Sequence, residues 1–197
     1  DPVPAIFLGS SEVSVKEMVG AFSIYANKGV YNAPMMVTKI EDKYGNVLAN
    51  FYPESREVIT ENTAFLMANL LQGVVDEGTG RRLRFRYGFK NQIGGKTGTT
   101  QNHSDGWFIG ITPDLAGGVW VGAEDRSIHF QNLANGQGAS MALPIWALFM
   151  QKVYADKSLA VPQSDFQKPN GVNHVLDCGD ADREGMTDYD SSDEIFD

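Results

Sequence analysis

Gly94-Gly95-Lys96-Thr97-Gly98-Thr99-Thr100 is the stretch on which the fold and chemistry of this 197-residue chain turn. Its glycines and lysine invite comparison with a phosphate-cradling loop, which needs Gly, four residues, then Gly-Lys-[Ser/Thr] so that backbone N–H groups curl round the phosphates and open a helix. Lys90 stands where the first glycine belongs, and the nearest earlier glycine, Gly88, leaves six residues before Gly95 where four are needed. Nor does Gly98-Thr-Thr-Gln-Asn-His-Ser-Asp-Gly106 start a helix. The nucleotide reading fails. The other reading is a strand edge that receives a substrate. Gly98, without a side chain, lets another backbone approach closely. Lys96 supplies a positive charge, and the Thr97 and Thr99 hydroxyls are donors for a carboxylate. Strict strand alternation sends Lys96 and Thr97 to opposite faces, so this geometry alone does not bring both to one ligand.

Working outward, residues 92–99, 106–112 and 117–122 read as antiparallel strands, the last two joined by a Pro113-Asp114 turn. Upstream, Ser14 and Glu17 have capping-box spacing ahead of apolar Met18, Ala21, Phe22, Tyr25 and Ala26, with Gly29 as the helix stop. Residues 35–40 and 47–51 read as a hairpin bending at Gly45. Thr60 caps a second helix that runs to Asp76 and stops at Gly78-Thr79-Gly80. Residues 138–157 read as a further helix, capped by Ser140, with Pro144 better suited to a first turn than to a middle. The fold class is α/β in the α+β sense, an antiparallel sheet packed against helices.

The formal charge of −9 is unevenly spread. Nine of the 25 acids lie in residues 176–197 against Arg183 alone, so residues 1–175 are close to neutral. At face value the net charge argues against a nucleic-acid partner, and none is expected, although the acidity belongs to the tail. The lone Cys178 cannot form an internal disulfide. The longest apolar runs, such as 142–150, fall far short of a membrane span, so no direct membrane insertion is expected. The start, Asp1-Pro-Val-Pro4, carries neither an initiator Met nor a secretory signal and reads as the cut end of something longer. Residues 176–197 are expected to be a disordered acidic tail. Within it, Asp180-Ala-Asp-Arg-Glu-Gly185 imitates the opening of a calcium loop, but Ser191 stands where a bidentate Glu is required.

Lys96-Thr97-Gly98 is also the Lys-Thr-Gly element of penicillin-binding proteins and class A β-lactamases. Around it, in order, stand Leu8-Gly-Ser-Ser-Glu-Val-Ser14, the Met18 to Ala26 block with Asn27-Lys28-Gly29-Val30-Tyr31, and Gly45-Asn-Val-Leu48 after Ile40-Glu-Asp42. Leu71-Gln-Gly-Val-Val75, Glu77-Gly-Thr-Gly80, Asp105-Gly-Trp-Phe-Ile-Gly-Ile-Thr-Pro113 and Val119-Trp-Val-Gly122 complete the series. Together these blocks resemble the second half of the transpeptidase domain of class A penicillin-binding proteins, over residues 4–157. The resemblance implies an incomplete transpeptidase fold over residues 1–157, a trailing link over 158–175, then the tail. It implies acyl transfer from a D-Ala-D-Ala stem peptide of peptidoglycan, inhibited by β-lactams, with no cofactor or metal. It also implies a parent protein anchored in the cytoplasmic membrane with its domains outside the cytoplasm. Lys96 and Thr99 map onto catalytic positions, Thr99 through its oxyanion-hole N–H. Thr97, Gly98 and Thr99 map onto the substrate-binding wall. The family's nucleophile lies in Ser-x-x-Lys and its second motif is Ser-x-Asn, and none of the twelve serines here fits either pattern. This chain alone is therefore expected to be inactive, its partner being the missing N-terminal half of the domain. A noncatalytic module using the same edge to hold a peptide or glycan is the competing reading.

Arg81, Arg82, Arg84, Arg86 and Lys90, with no acid among them, read as a solvated basic face or as a positive rim for an anionic ligand. His103 reads as an exposed loop residue or a donor at the site's edge, and Asp105 as a turn former. His129, His174 and Cys178 have no zinc spacing. Trp107, Trp120 and Trp146 read as core, with Trp107 also near enough to line a groove. Gly78-Thr79-Gly80 reads first as a helix stop, second as a neighbour of the cleft.

Overall fold

The computed structural model describes residues 11–172 together with Pro4, Ile6 and Gly9. The acidic tail and its calcium-like pattern lie outside the described residues. Helix α1 (Val15–Ala26) opens on the expected capping box. The Ser14 hydroxyl accepts the Glu17 N–H at 3.2 Å, and the Glu17 carboxylate accepts the Ser14 N–H at 2.8 Å. These bonds from Ser14 hold the Glu17 carboxyl below its ordinary pKa. The helix ends at Ala26 with Asn27 as its cap, three residues ahead of the expected glycine. Lys28 takes the left-handed conformation at φ 54°, and the Gly29 N–H closes back onto the Ile24 carbonyl at 2.9 Å.

Two small sheets follow. Strand β1 (Val30–Asn32) pairs with β4 (Ser55–Glu57), and β2 (Lys39–Glu41) pairs with β3 (Val47–Asn50). The second is the predicted hairpin, shorter than expected because its first strand begins at Lys39, with the Thr38 carbonyl still accepting the Phe51 N–H at 2.9 Å. Its bend is held by Asp42, whose carboxylate accepts the Tyr44 and Asn46 N–H groups while Gly45 takes φ 85°. The β1–β4 pairing has no alternating apolar pattern in sequence. Helix α2 (Glu61–Asp76) is capped by Thr60 as expected, and a helical turn, α3 (Arg82–Phe85), stands where only a basic run was legible.

Strands β5 (Gly94–Thr99), β6 (Asp105–Ile111) and β7 (Ala116–Gly122) form an antiparallel sheet in that order. After a short turn, α4 (Leu133–Gly136), the chain enters α5 (Gly138–Ala155). Ser140 does not cap α5. It lies inside the first turn, its hydroxyl donating to the Ala134 carbonyl at 2.6 Å, while Gln137 holds the cap position without a side-chain bond. Pro144 sits within the helix, where its missing N–H leaves the Ser140 carbonyl without the usual partner. Residues 158–172 carry neither helix nor strand.

The sheet is covered on both faces. Leu71 and Ala68 of α2 pack beneath Gly94, and Val15 and Val19 of α1 approach Gly118 on the same side. On the other face α5 delivers Trp146, 2% exposed, against Phe108 with ring centroids 5.4 Å apart in an edge-to-face arrangement. Val75, Leu83, Phe89, Ile93, Leu143 and Met150 close that cluster. Trp146 is the one tryptophan fully in the core. Trp107 is half-buried and Trp120 is 41% exposed, the two facing each other across the β6–β7 pair. Among the described residues no helix is long and apolar enough to cross a membrane.

Gly110 lies directly under the Trp146 indole, and a methyl group there has no room. Gly110→Ala is expected to lower unfolding stability by about 1–3 kcal/mol, the usual cost of overpacking a core, read as a reduced urea midpoint at unchanged slope. Helix α1 adds a pH dependence. Because the Glu17 pKa is lowered on folding, its contribution is present above the unfolded carboxylate pKa and lost as pH falls through the lowered value.

Candidate active site

Lys96, Thr97, Gly98 and Thr99 occupy the C-terminal half of β5. Among the described residues β5 pairs with β6 alone, so its other edge is free. The register sets Lys96 opposite Ile109, Thr97 opposite Phe108, Gly98 opposite Trp107 and Thr99 opposite Gly106. Alternation therefore gives Thr97 and Thr99 to the α5 face and Lys96 and Gly98 to the α1–α2 face. The exposed lysine nonetheless turns its Nζ onto the carbonyl of Thr97, at 2.6 Å. A long flexible stem brings the ammonium back to the strand backbone at the level of its neighbour.

Both threonine hydroxyls are held. Thr99 Oγ1 accepts the N–H of Gly138, the first residue of α5, at 3.1 Å. A Cβ on Gly138 would collide with the carbonyl oxygens of Gly98 and Trp107, so the helix start sits hard against the strand. At Gly98 itself the space a side chain would take is bounded by the Trp107 side chain, not by another backbone. Thr97 Oγ1 lies 2.7 Å from Thr79 Oγ1, on the Gly78–Gly80 turn that ends α2. That turn is both a helix stop and a neighbour of the motif.

The basic run divides. Arg82 Nη1 donates to the Ala139 carbonyl and to Ser140 Oγ, each at 2.8 Å, and so ties α3 to the start of α5. Arg84 pairs with Asp76 and donates to the carbonyls of Phe89 and Asn91. These two are internal brackets. Arg81, Arg86 and Lys90 stay exposed.

At the far end of the motif the chain turns tightly from β5 into β6. Asn102 and His103 take φ 60° and 57°, and a 3₁₀ turn spans Gln101–His103. His103 is not an exposed loop residue. It is half-buried against Gly136, with its Nδ1 buried and without a hydrogen-bond partner. Asp105 is a buried strand residue rather than a turn former. Its carboxylate accepts from Thr100 Oγ1 at 3.0 Å, and its N–H donates to the same oxygen at 3.1 Å. Thr100, Ser104 and Asp105 thus knot the turn that fixes the end of the Lys-Thr-Gly strand. Among the described residues no group of three His, Cys, Asp or Glu side chains gathers as a metal site.

The model of the penicillin binding protein transpeptidase domain matches residues 7–138, which include the whole of β5 and the entry to α5. The chain belongs to that family. Penicillin-binding protein 1A of Aquifex aeolicus is 33% identical over 168 residues, 85% of this chain and 22% of that protein. Penicillin-binding protein 2D of Bacillus subtilis is 32% identical over 180 residues, 88% of this chain and 24% of that protein. The chain thus spans about a quarter or less of the length of these curated relatives. The crystal structure of penicillin-binding protein 1A from Haemophilus influenzae superposes with a TM-score of 0.73 at 25% identity, covering 84% of this chain and 29% of the other. PonA1 of Mycobacterium tuberculosis gives 0.68 at 25% identity, covering 85% and 44%. The class A resemblance carried by the ordered sequence blocks, and the mixed α/β fold it implied, both hold.

The Thr99–Gly138 bond is testable without any ligand. Thr99→Val removes the acceptor and is expected to speed amide hydrogen exchange at Gly138, whereas Thr99→Ser keeps exchange slow. Equal exchange in both variants would show that the helix start is held without the hydroxyl.

Proposed function

We propose that this chain supplies one wall of a peptidoglycan DD-transpeptidase site within a longer, membrane-anchored polypeptide acting outside the cytoplasm. The observation that carries the reading is the free edge of β5 lined by the Lys96 ammonium and the two held hydroxyls of Thr97 and Thr99. The ammonium and both hydroxyls can donate from that edge, which suits an anionic ligand such as the terminal carboxylate of a stem peptide. Hydrogen bonds to a charged group contribute about 1.5–3 kcal/mol each, enough for the pair of threonines to govern affinity.

In this reading a serine of a Ser-x-x-Lys segment elsewhere in the polypeptide bonds through Oγ to the carbonyl carbon of the penultimate D-Ala. The C–N bond to the terminal D-Ala breaks, and that residue leaves with the serine's proton on its amine. An acceptor amine then attacks the ester, forms the cross-link, and returns a proton to the serine. The Thr99 N–H faces the oxyanion, a role worth about 2.7–4 kcal/mol where one such donor is removed. Lys96 raises the local positive potential. β-Lactams present the same carboxylate and a reactive carbonyl, and would acylate the same serine. No cofactor enters these steps.

In the full-length polypeptide, Lys96→Ala and Thr97→Val are each expected to slow acylation by a fluorescent penicillin at least tenfold, measured by gel fluorescence against time. Unchanged acylation in both would overturn the wall. The 197-residue chain by itself is expected to form no serine adduct, and a labelled serine within it would overturn the external nucleophile.

A further inference from the structure

Thr79 lies outside the Lys-Thr-Gly strand, yet its hydroxyl makes the hydrogen bond to Thr97. We infer that Thr79 is a positioning residue for the substrate carboxylate: it donates to Thr97 and so turns the single Thr97 hydrogen toward the ligand. This rests on the acyl-transfer reading above.

A threonine hydroxyl has one hydrogen to give and two lone pairs to receive. At Thr99 the outcome is forced, because the Gly138 N–H can only donate. The Thr99 hydrogen is thereby left for the ligand. At Thr97 two arrangements exist, since either hydroxyl can be the donor. If Thr97 donates to Thr79, its lone pairs face the substrate side and repel a carboxylate. If Thr79 donates, Thr97 becomes a donor like Thr99, and the anion meets two hydrogens on one face of β5. A bound carboxylate selects the second arrangement, and a chain of bonds running toward an anion strengthens each link.

The turn that presents Thr79 is built to hold it there. The Gly78 N–H donates to the Gly73 carbonyl at 3.1 Å, and the Gly80 N–H to the Val74 carbonyl at 2.8 Å. A Cβ on Gly78 would lie 2.9 Å from the Val74 carbonyl oxygen, and one on Gly80 would lie 3.1 Å from it, so both flanking positions are confined to glycine by close backbone. Two residues further on, Arg82 grips Ala139 and Ser140 at the start of α5. One short segment thus touches Thr97 directly and steadies the helix whose first N–H holds Thr99.

The test uses the full-length polypeptide, a penicillin with its free carboxylate, and the methyl ester of the same penicillin. Ester reaction is read as protection from later fluorescent labelling. Thr79→Val is expected to slow acylation by the carboxylate form about tenfold and to change the ester rate less than twofold, while Thr79→Ser restores the carboxylate rate. A Thr79→Val rate equal to wild type, or an equal loss for both ligands, would overturn the inference. Should Thr79→Val misfold, Thr79→Ala removes the same hydroxyl without adding bulk and decides by the same comparison. Wild-type protein that takes no penicillin overturns the acyl-transfer reading and this inference with it. Acylated wild type with an indifferent Thr79 overturns the positioning role alone.

Discussion

A side chain on Gly138 would strike the carbonyl oxygens of Gly98 and Trp107, so α5 begins where it does only because its first residue has none. From that seating the rest of the site follows. The Gly138 N–H, one of the helix's unpaired first donors, finds Thr99 Oγ1 and fixes its rotamer. Eight residues along the same helix, Trp146 drops onto Phe108 and over Gly110, so the apolar core and the polar edge are set by one rigid element. A shift of α5 that spoiled the core would also turn the Thr99 hydroxyl.

The arginines upstream of β5 serve this seating more than they serve a ligand. Arg82 and Arg84 are half-buried and their guanidinium groups donate to carbonyls and hydroxyls of the protein itself. The Arg84–Asp76 ion pair has one partner about half exposed, and a pair of that kind contributes at most about 1 kcal/mol. The bonds to the Phe89 and Asn91 carbonyls matter more, because they anchor the chain just ahead of β5. Lys96 remains the positive charge set into the strand, and none of the three ion pairs among the described residues engages it.

The large elements were legible because each announced itself locally. Ser14 with Glu17, Thr60 ahead of an apolar helix, and the Pro113-Asp114 turn between β6 and β7 are short-range signals, and the structure follows them within a residue or two. The misses share a cause. Ser140 looked like a cap because cap and first-turn serines are indistinguishable without the fold; its hydroxyl turns instead to Ala134 and receives Arg82 from far up the chain. Asp105 resembled a turn former because Ser-Asp-Gly suits turns, yet the turn lies earlier, at the positive φ of Asn102 and His103. The Gly78-Thr79-Gly80 turn was legible as a neighbour of the cleft, but its bond to Thr97 depends on how α2 docks on β5. The lysine's reach to Thr97 depends on side-chain length, to which a rule of alternating faces is blind.

The chemistry of the wall limits what it can do alone. The Lys96 ammonium, the Thr97 and Thr99 hydrogens and the Thr99 N–H are all donors, arranged along one free edge. Such a surface holds anions and steadies an oxyanion, but it offers no acceptor positioned to take a proton from an attacking hydroxyl. Nearby Asp105 does not fill that role, since its carboxylate is buried and occupied by Thr100 at the closed end of the β5–β6 turn. In the proposed acyl transfer the work would therefore divide between two walls, this one binding and polarising and the opposing one bringing both the nucleophile and the base that activates it.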